Sequence, residues 1–200
     1  RLVARLDGIA IAGKHAQQTM DAELESRSSG AAFIVAVRAI DEWPSDSLDR
    51  LWDLAREIPA VSDGLTAAFG WVERRQLQGI VRDLLRSDDA AKCSMGLAVC
   101  AMHRADPGFE RGPWLNNGVP AVRARALRAV GELGLTGLKS RCMDAMADDD
   151  VHCRFWAAWS AVLLGDRGSA LEALCGAAIR TVDAVHRLRA LRLVLQAADA

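Results

Sequence analysis

The sequence predicts an all-α fold, a right-handed α-solenoid in which helical hairpins stack into an α-α superhelix. Three observations carry this. Apolar positions at helical spacing return every 30–33 residues. The composition is that of a helix former: 51% of residues are apolar, only 5% are aromatic, Tyr is absent, and Ala, Leu and Arg recur throughout. Strand signals are nearly lacking, since period-two alternation is brief and Asn117-Gly118 leads into a helical pattern instead of joining two strands.

The repeat is read from a basic residue. Counting three, six, seven and ten positions beyond Arg123 gives Ala126, Ala129, Val130 and Leu133. Arg154 leads to Ala157, Ser160, Ala161 and Leu164. Lys92 leads to Met95, Ala98, Val99 and Met102, and Arg187 to Ala190, Leu193, Val194 and Ala197. These offsets describe one face of an α-helix, and only Ser160 interrupts its apolar character. Fainter copies begin at Ser62 (Leu65, Ala68, Phe69, Val72) and Gly30 (Phe33, Ala36, Val37, Ile40).

Shorter helical patterns alternate with these, over Ser45–Glu57, Arg74–Arg86, Gly137–Ala147 and Gly168–Arg180, so that each unit reads as helix–turn–helix. Breakers mark the turns: Asp106-Pro107-Gly108, Gly134 to Gly137, and Gly165 to Gly168. Asp46, Ser62 and Asp150 are placed to cap helices, and Trp43-Pro44 ends one. Leu2–Ala12 and Lys14–Glu25 fit the repeat poorly and read as N-terminal cap helices. The organisation expected is a single domain over 1–200, with a cap over 1–29 and about six units over 30–200, the last truncated. The absence of an initial Met and the helical pattern still running at Ala200 read as a fragment.

Charge narrows the function classes. A net charge of -1 disfavours a generally basic nucleic-acid binder but leaves room for a local basic stripe. Five cysteines, Cys93, Cys100, Cys142, Cys153 and Cys175, lie in apolar surroundings without a C-x-x-C pair, and read as buried, reduced thiols of a cytoplasmic protein. No apolar run approaches a membrane span, and no membrane partner is expected. His15, His103, His152 and His186 are scattered, so no metal site is expected. No phosphate-binding glycine loop or nucleophile elbow occurs. Neither cofactor nor catalytic residue is therefore assigned.

The run Val122-Arg123-x-x-Ala126-Leu127-x-x-Val130-x-x-Leu133-Gly134, and its counterpart Arg154-x-x-Ala157-x-x-Ser160-Ala161-x-x-Leu164-Gly165-Asp166, resemble short HEAT repeats of the phycobilisome-lyase type. The resemblance covers about residues 30–200 and is specific for fold, not function. The opening Arg5-Leu6-Asp7-Gly8-Ile9-Ala10-Ile11-Ala12-Gly13 is similar to the leader of an uncharacterised bacterial HEAT-repeat family whose genes often lie near type VI secretion clusters, departing from it at Arg5 and Ile9. Phe69-Gly70-Trp71-Val72 resembles that family's G-W segment. The resemblance implies a secretion-associated accessory or scaffold protein.

Two sets of residues are candidates for function. Lys92, Arg123, Arg154 and Arg187 recur once per unit and should form a ladder; the acidic turns nearby favour structural ion pairs over external binding. The slots two and five positions beyond three of those residues hold Arg125 and Arg128, Trp156 and Trp159, and Arg189 and Arg192. The arginines read as a solvated helix face or, alternatively, as a phosphate-tracking surface like that of HEAT-like DNA-lesion glycosylases. Such an enzyme would need a carboxylate near aromatics, for which Asp144, Trp114, Trp156 and Trp159 are available. The tryptophan pair reads as helix packing or as a binding hot spot. The leading expectation is a non-enzymatic scaffold for a protein or peptide partner, with end-to-end oligomers through exposed terminal repeats. The alternatives are a nucleic-acid-binding or DNA-repair solenoid and, further off, an enzyme subunit or chromophore-lyase relative.

Overall fold

The computed structural model describes residues 27–42, 46–180 and 183–198. The cap helices, the leader resemblance and Trp43-Pro44 lie outside them. Among the described residues every regular element is helical, and no helix is long and apolar enough to cross a membrane. The chain packs as two compact units, one ending at Asp83 and one beginning at Leu84, each described by itself.

The first unit contains α1 (Ser29–Asp41), α2 (Asp46–Glu57), α3 (Pro59–Trp71) and most of α4 (Arg74–Arg86). Ser28 caps α1 by accepting from the Ala31 N–H. α1 and α3 pack closely because Gly64 faces Ser29 and Ala32, where a Cβ would lie 2.2 Å from the Ser29 carbonyl oxygen. Leu51, Val61, Leu65, Ala68 and Phe69 are fully buried, and Trp52 lies against Phe69 with ring centroids 6.1 Å apart. Ser62 does not cap α3. That helix begins at Pro59, whose fixed φ suits a first turn, so Ser62 falls inside it.

The second unit contains the end of α4, then α5 (Ala90–Met102), α6 (Pro120–Leu133), α7 (Lys139–Asp144), α8 (Val151–Leu163), α9 (Ser169–Arg180) and α10 (Ala184–Ala198). Short 3-10 turns at Thr136–Leu138 and Ala145–Ala147 flank α7, which breaks the continuous helix expected over 137–147. α6 packs on α5, α8 on α6, and α10 on α8, while α7 and α9 also lean on α8. Asp89 and Asp150 cap α5 and α8 through two backbone N–H groups each. Gly134 and Gly165 close α6 and α8 at φ 68° and 91°, a left-handed conformation that costs glycine no Cβ clash.

The apolar stripe read from the sequence is the buried one on α6 and α8, where Ala126, Ala129, Val130, Ala157 and Ala161 have no exposed surface. Fully buried Leu97, Leu127 and Leu174 each contribute about 1.5–3 kcal/mol of transfer free energy. Ser160, the polar exception, is fully buried and donates its hydroxyl to the Leu127 carbonyl at 2.7 Å. On α5 the buried face keeps Val99 of the expected stripe and extends beyond it to Cys93, Gly96, Leu97 and Cys100, while Met102 is 42% exposed. The added burial follows from α4, since Gly96 seats against Leu84 and Leu85. This unit also lacks its second helix. Residues 103–119 form a loop, interrupted by a short 3-10 turn at Trp114–Asn116, in which Asp106 accepts from the N–H groups of Gly108 and Phe109. Phe109 and Trp114 fill the vacated core with an edge-to-face contact at 5.7 Å.

Candidate functional site

Two of the basic residues in the predicted ladder, Arg123 and Arg154, work as fasteners. Arg123 Nε and Nη2 donate to both Asp148 carboxylate oxygens at 2.9 and 2.8 Å, and Nη1 donates to the Asn117 and Gly118 carbonyls at 2.8 and 3.3 Å. Arg154 repeats the second half of this arrangement, donating to the Asp148 and Asp149 carbonyls at 2.7 and 2.9 Å. Each therefore ties down the turn five and six residues before it. The Arg123 hydrogen bonds hold the Asp148 carboxyl below its ordinary range. Asp150, bound by the Cys153 and His152 N–H groups, is likewise lowered. Lys92 is half-buried on α5 and Arg187 is exposed on α10.

The basic strip of α6 is not a solvated face. Arg125 and Arg128 both bond Glu132, each at 2.8 Å, and Arg128 and Arg189 lie over the Trp156 ring at 4.6 and 5.4 Å from its centroid. Trp156 is only 7% exposed. A solvated strip in the slots two and five beyond the opening residue presumes one buried face per helix. α6 and α8 have neighbours on more than one side, so those slots meet the adjacent helix. Burial depresses the Arg125 and Arg189 guanidinium groups, and the Glu132 carboxylate opposes the effect on Arg125. Trp159 is half-buried and stands edge-to-face on Trp156 at 5.4 Å, while Arg192 is exposed. The slots do come together, joining Arg128, Trp156 and Arg189 across α6, α8 and α10.

Beside this stack lies a group that the sequence pattern does not single out. His186 packs against Phe155 at 4.6 Å, His152 at 5.4 Å and Trp156 at 5.5 Å between ring centroids. Its Nδ1 contacts the carboxylate of Asp183, which it holds below the ordinary range. His152, Phe155, Asp183 and His186, with Arg154, rim an open concavity of about 650 Å³ whose walls include Met146, Val151, Ala158, Ala173 and Ala177. A signal was present in the chain: His152 and His186 follow the capping residues Asp150 and Asp183 of equivalent helices by two and three residues. Repetition places them side by side, although they are far apart in sequence.

Asp144 lies elsewhere, in a shallow depression with Arg123, Arg141 and Asp148 whose lining includes no tryptophan. Trp114 is buried in the core. Neither concavity therefore gathers Asp144 with Trp114, Trp156 or Trp159. Among the described residues no group of three or more His, Cys, Asp or Glu side chains could hold a metal ion. Cys93, Cys100, Cys142 and Cys153 are buried free thiols and Cys175 is half-buried. The 650 Å³ concavity combines apolar walls with an imidazole and carboxylate rim, which suits an apolar side chain carried on a polar backbone. Compared with known proteins, the chain matches no family model, no curated protein and no solved structure.

Proposed function

We propose that the chain is a HEAT-like α-solenoid acting as a non-enzymatic scaffold, and that it holds a peptide segment of a protein partner in the concavity between α8, α9 and the start of α10. The observation carrying this reading is the groove itself: apolar walls from Met146, Val151, Ala158 and Ala173, with Phe155 and the two histidines at its rim. Stacked helical hairpins characteristically offer such surfaces to partners. The recurrence of the arginine fastener at Arg123 and Arg154 supports the stacking. The non-enzymatic reading is supported by the engagement of the nearby charges: Asp148 with Arg123, Glu132 with Arg125 and Arg128, and Asp150 with helix N–H groups. The same pairings weaken the nucleic-acid alternative, because Arg125 and Arg128 are both turned onto Glu132. An accessory role in a bacterial secretion system is the finer proposal, and it rests on the resemblance of the opening residues.

The test is affinity capture from the source organism's lysate with wild type and with Val151→Glu/Ala173→Glu. Both residues line the groove and are exposed, so the variant folds. A protein captured by wild type and lost by the variant is the expected result. Recovery of nucleic acid alone, released steeply by salt, defeats the proposal, as does equal capture by both proteins.

A further inference from the structure

Two depressions of the second unit occupy equivalent places in the repeat, and only one of them is supplied with a carboxylate for its arginine. Eight positions before Arg123, at it and four beyond it stand Leu115, Arg123 and Leu127, all lining the shallow depression beside α7. The same count from Arg154 gives Met146, Arg154 and Ala158, all lining the groove beside α9. Where α7 contributes Arg141 and Asp144, α9 contributes Ala173 and Ala177, so the groove is the more apolar of the two. Alanine in place of leucine four positions beyond the arginine also leaves more room: about 650 Å³ in the groove against about 380 Å³ at Arg123.

At Arg123 both edges of the guanidinium are engaged. Nη1 holds the preceding turn, and Nε with Nη2 holds the Asp148 carboxylate. Asp148 reaches it from extended backbone, at φ −57° and ψ 146°, with Ala145 and Ala147 beside it in the lining. At Arg154 one edge is engaged: Nη1 donates to the Asp148 and Asp149 carbonyls, and among the described residues no acceptor meets Nε or Nη2. The chain itself explains the difference. Asp148 stands six positions before Arg154; six before Arg187 stands Thr181, and no Asp or Glu occurs between Glu172 and Asp183. Asp183 lines the groove, but its carboxylate accepts from the Val185 and His186 N–H groups and contacts His186 Nδ1. The next helix of the chain, α10, is already seated on α8 through His186 and Phe155, and the open edge of Arg154 remains beside it.

We infer that the groove binds an extended, acidic peptide segment of a partner protein, whose aspartate side chain pairs with Nε and Nη2 of Arg154 while an apolar side chain just before it enters the groove between Met146, Phe155 and Ala173. This rests on the groove being the scaffold's peptide site, and it adds the chemistry of what enters. Asp148 on Arg123 is the internal template: an aspartate on extended backbone, preceded by small apolar residues, held by the same edge of the same side chain. A planar carboxylate matches that edge with two parallel hydrogen bonds. Arg154 is already pinned by two carbonyls, so ordering it costs little on binding. A doubly charged phosphate fits less well, because Asp183 stands at the same rim.

The experiment measures fluorescence anisotropy of short synthetic peptides, labelled at the amino end and amidated at the other, with leucine three positions and alanine one position before a single aspartate. One control has asparagine for the aspartate; another ends at that position in a free carboxylate. The full chain binds the aspartate peptide saturably, more weakly as salt rises, and roughly tenfold more tightly than the asparagine peptide. Arg154→Ala binds the two alike. Because that variant also releases two carbonyls, Arg154→Lys is measured beside it, with urea unfolding of both; lysine keeps the charge but presents no fork, and most of the preference for aspartate is lost. An Arg154→Lys protein that keeps the full preference overturns the assignment, as does failure of wild type to bind the aspartate peptide. So do tighter binding of the peptide with a free terminal carboxylate, and displacement by inorganic phosphate at lower concentration than by unlabelled aspartate peptide. Equal binding of the aspartate and asparagine peptides, both lost in Val151→Glu/Ala173→Glu, sinks the carboxylate assignment alone and leaves the scaffold reading standing.

Discussion

A close approach between two helices of the second unit supports a quantitative prediction. A Cβ placed on Gly131 lies 2.4 Å from Ser160 Oγ and 2.8 Å from both its Cα and Cβ. The hydroxyl can rotate away, but the Cα is backbone, so α6 and α8 must separate. Overpacking of this kind costs about 1–3 kcal/mol. Displacing Ser160 also strains its 2.7 Å hydrogen bond to the Leu127 carbonyl, worth about 1 kcal/mol. Against this, replacing a mid-helix glycine by alanine returns about 1 kcal/mol of helix propensity. Gly131→Ala should therefore destabilise the fold by about 2 kcal/mol, or roughly 4–8 °C in Tm. Urea unfolding followed by circular dichroism measures it, with Gly118→Ala as control, since nothing lies within 4 Å of a Cβ there. Adding Ser160→Ala should restore only part of the loss, because the clash with the backbone of residue 160 remains. If Gly131→Ala equals or exceeds wild type in stability, α6 and α8 are not held at this distance and the packing argument fails.

Further predictions follow from the same geometry. Trp156→Ala removes a buried ring held by Arg128, Arg189, Phe155 and His186, and should cost about 3–5 kcal/mol, whereas Trp159→Ala costs visibly less; a reversed order in denaturant midpoints refutes the assignment of Trp156 to the core. The Asp148 carboxyl is held low by Arg123, so its contribution is complete above pH about 4 and is lost as pH falls through its folded value. Asp148→Asn should cost about 1–2 kcal/mol at neutral pH and flatten the acid limb of a stability-against-pH curve; an unchanged limb argues against the pair. Burial pushes the Cys153 thiol up to about 12 and Cys142 to about 11, so a thiol reagent at pH 8 should label half-buried Cys175 first and reach those two only on unfolding, which peptide mapping after timed labelling resolves.

The helices were legible because periodicity is a local property. A face of Ala126, Ala129 and Val130 repeats at 3.6 residues whatever surrounds it, and glycines at 134 and 165 stop their helices for reasons internal to the backbone. Capping was less legible: Ser62 has the right chemistry, but Pro59 starts the helix earlier, and competition between two valid start signals is settled by packing. The loop over 103–119 was recognised only at its breaker, because nothing local says that Phe109 and Trp114 will stand in for a helix.

The candidate site was mostly illegible. That Trp156 and the α6 arginines occupy the same slots followed from the repeat, yet whether those slots meet water or another helix depends on how many neighbours a helix has. Ser160 makes the same point at one residue: alone it interrupts an apolar stripe, and only the carbonyl of Leu127 across the interface turns it into a satisfied core group. Phe155, His152 and His186 converge because equivalent helices are laid side by side. Spacing along one chain carries the spin of each helix about its axis, and so its apolar face. Which faces are then covered, by what, and at what distance is set by the relative placement of helices, which no single helix encodes.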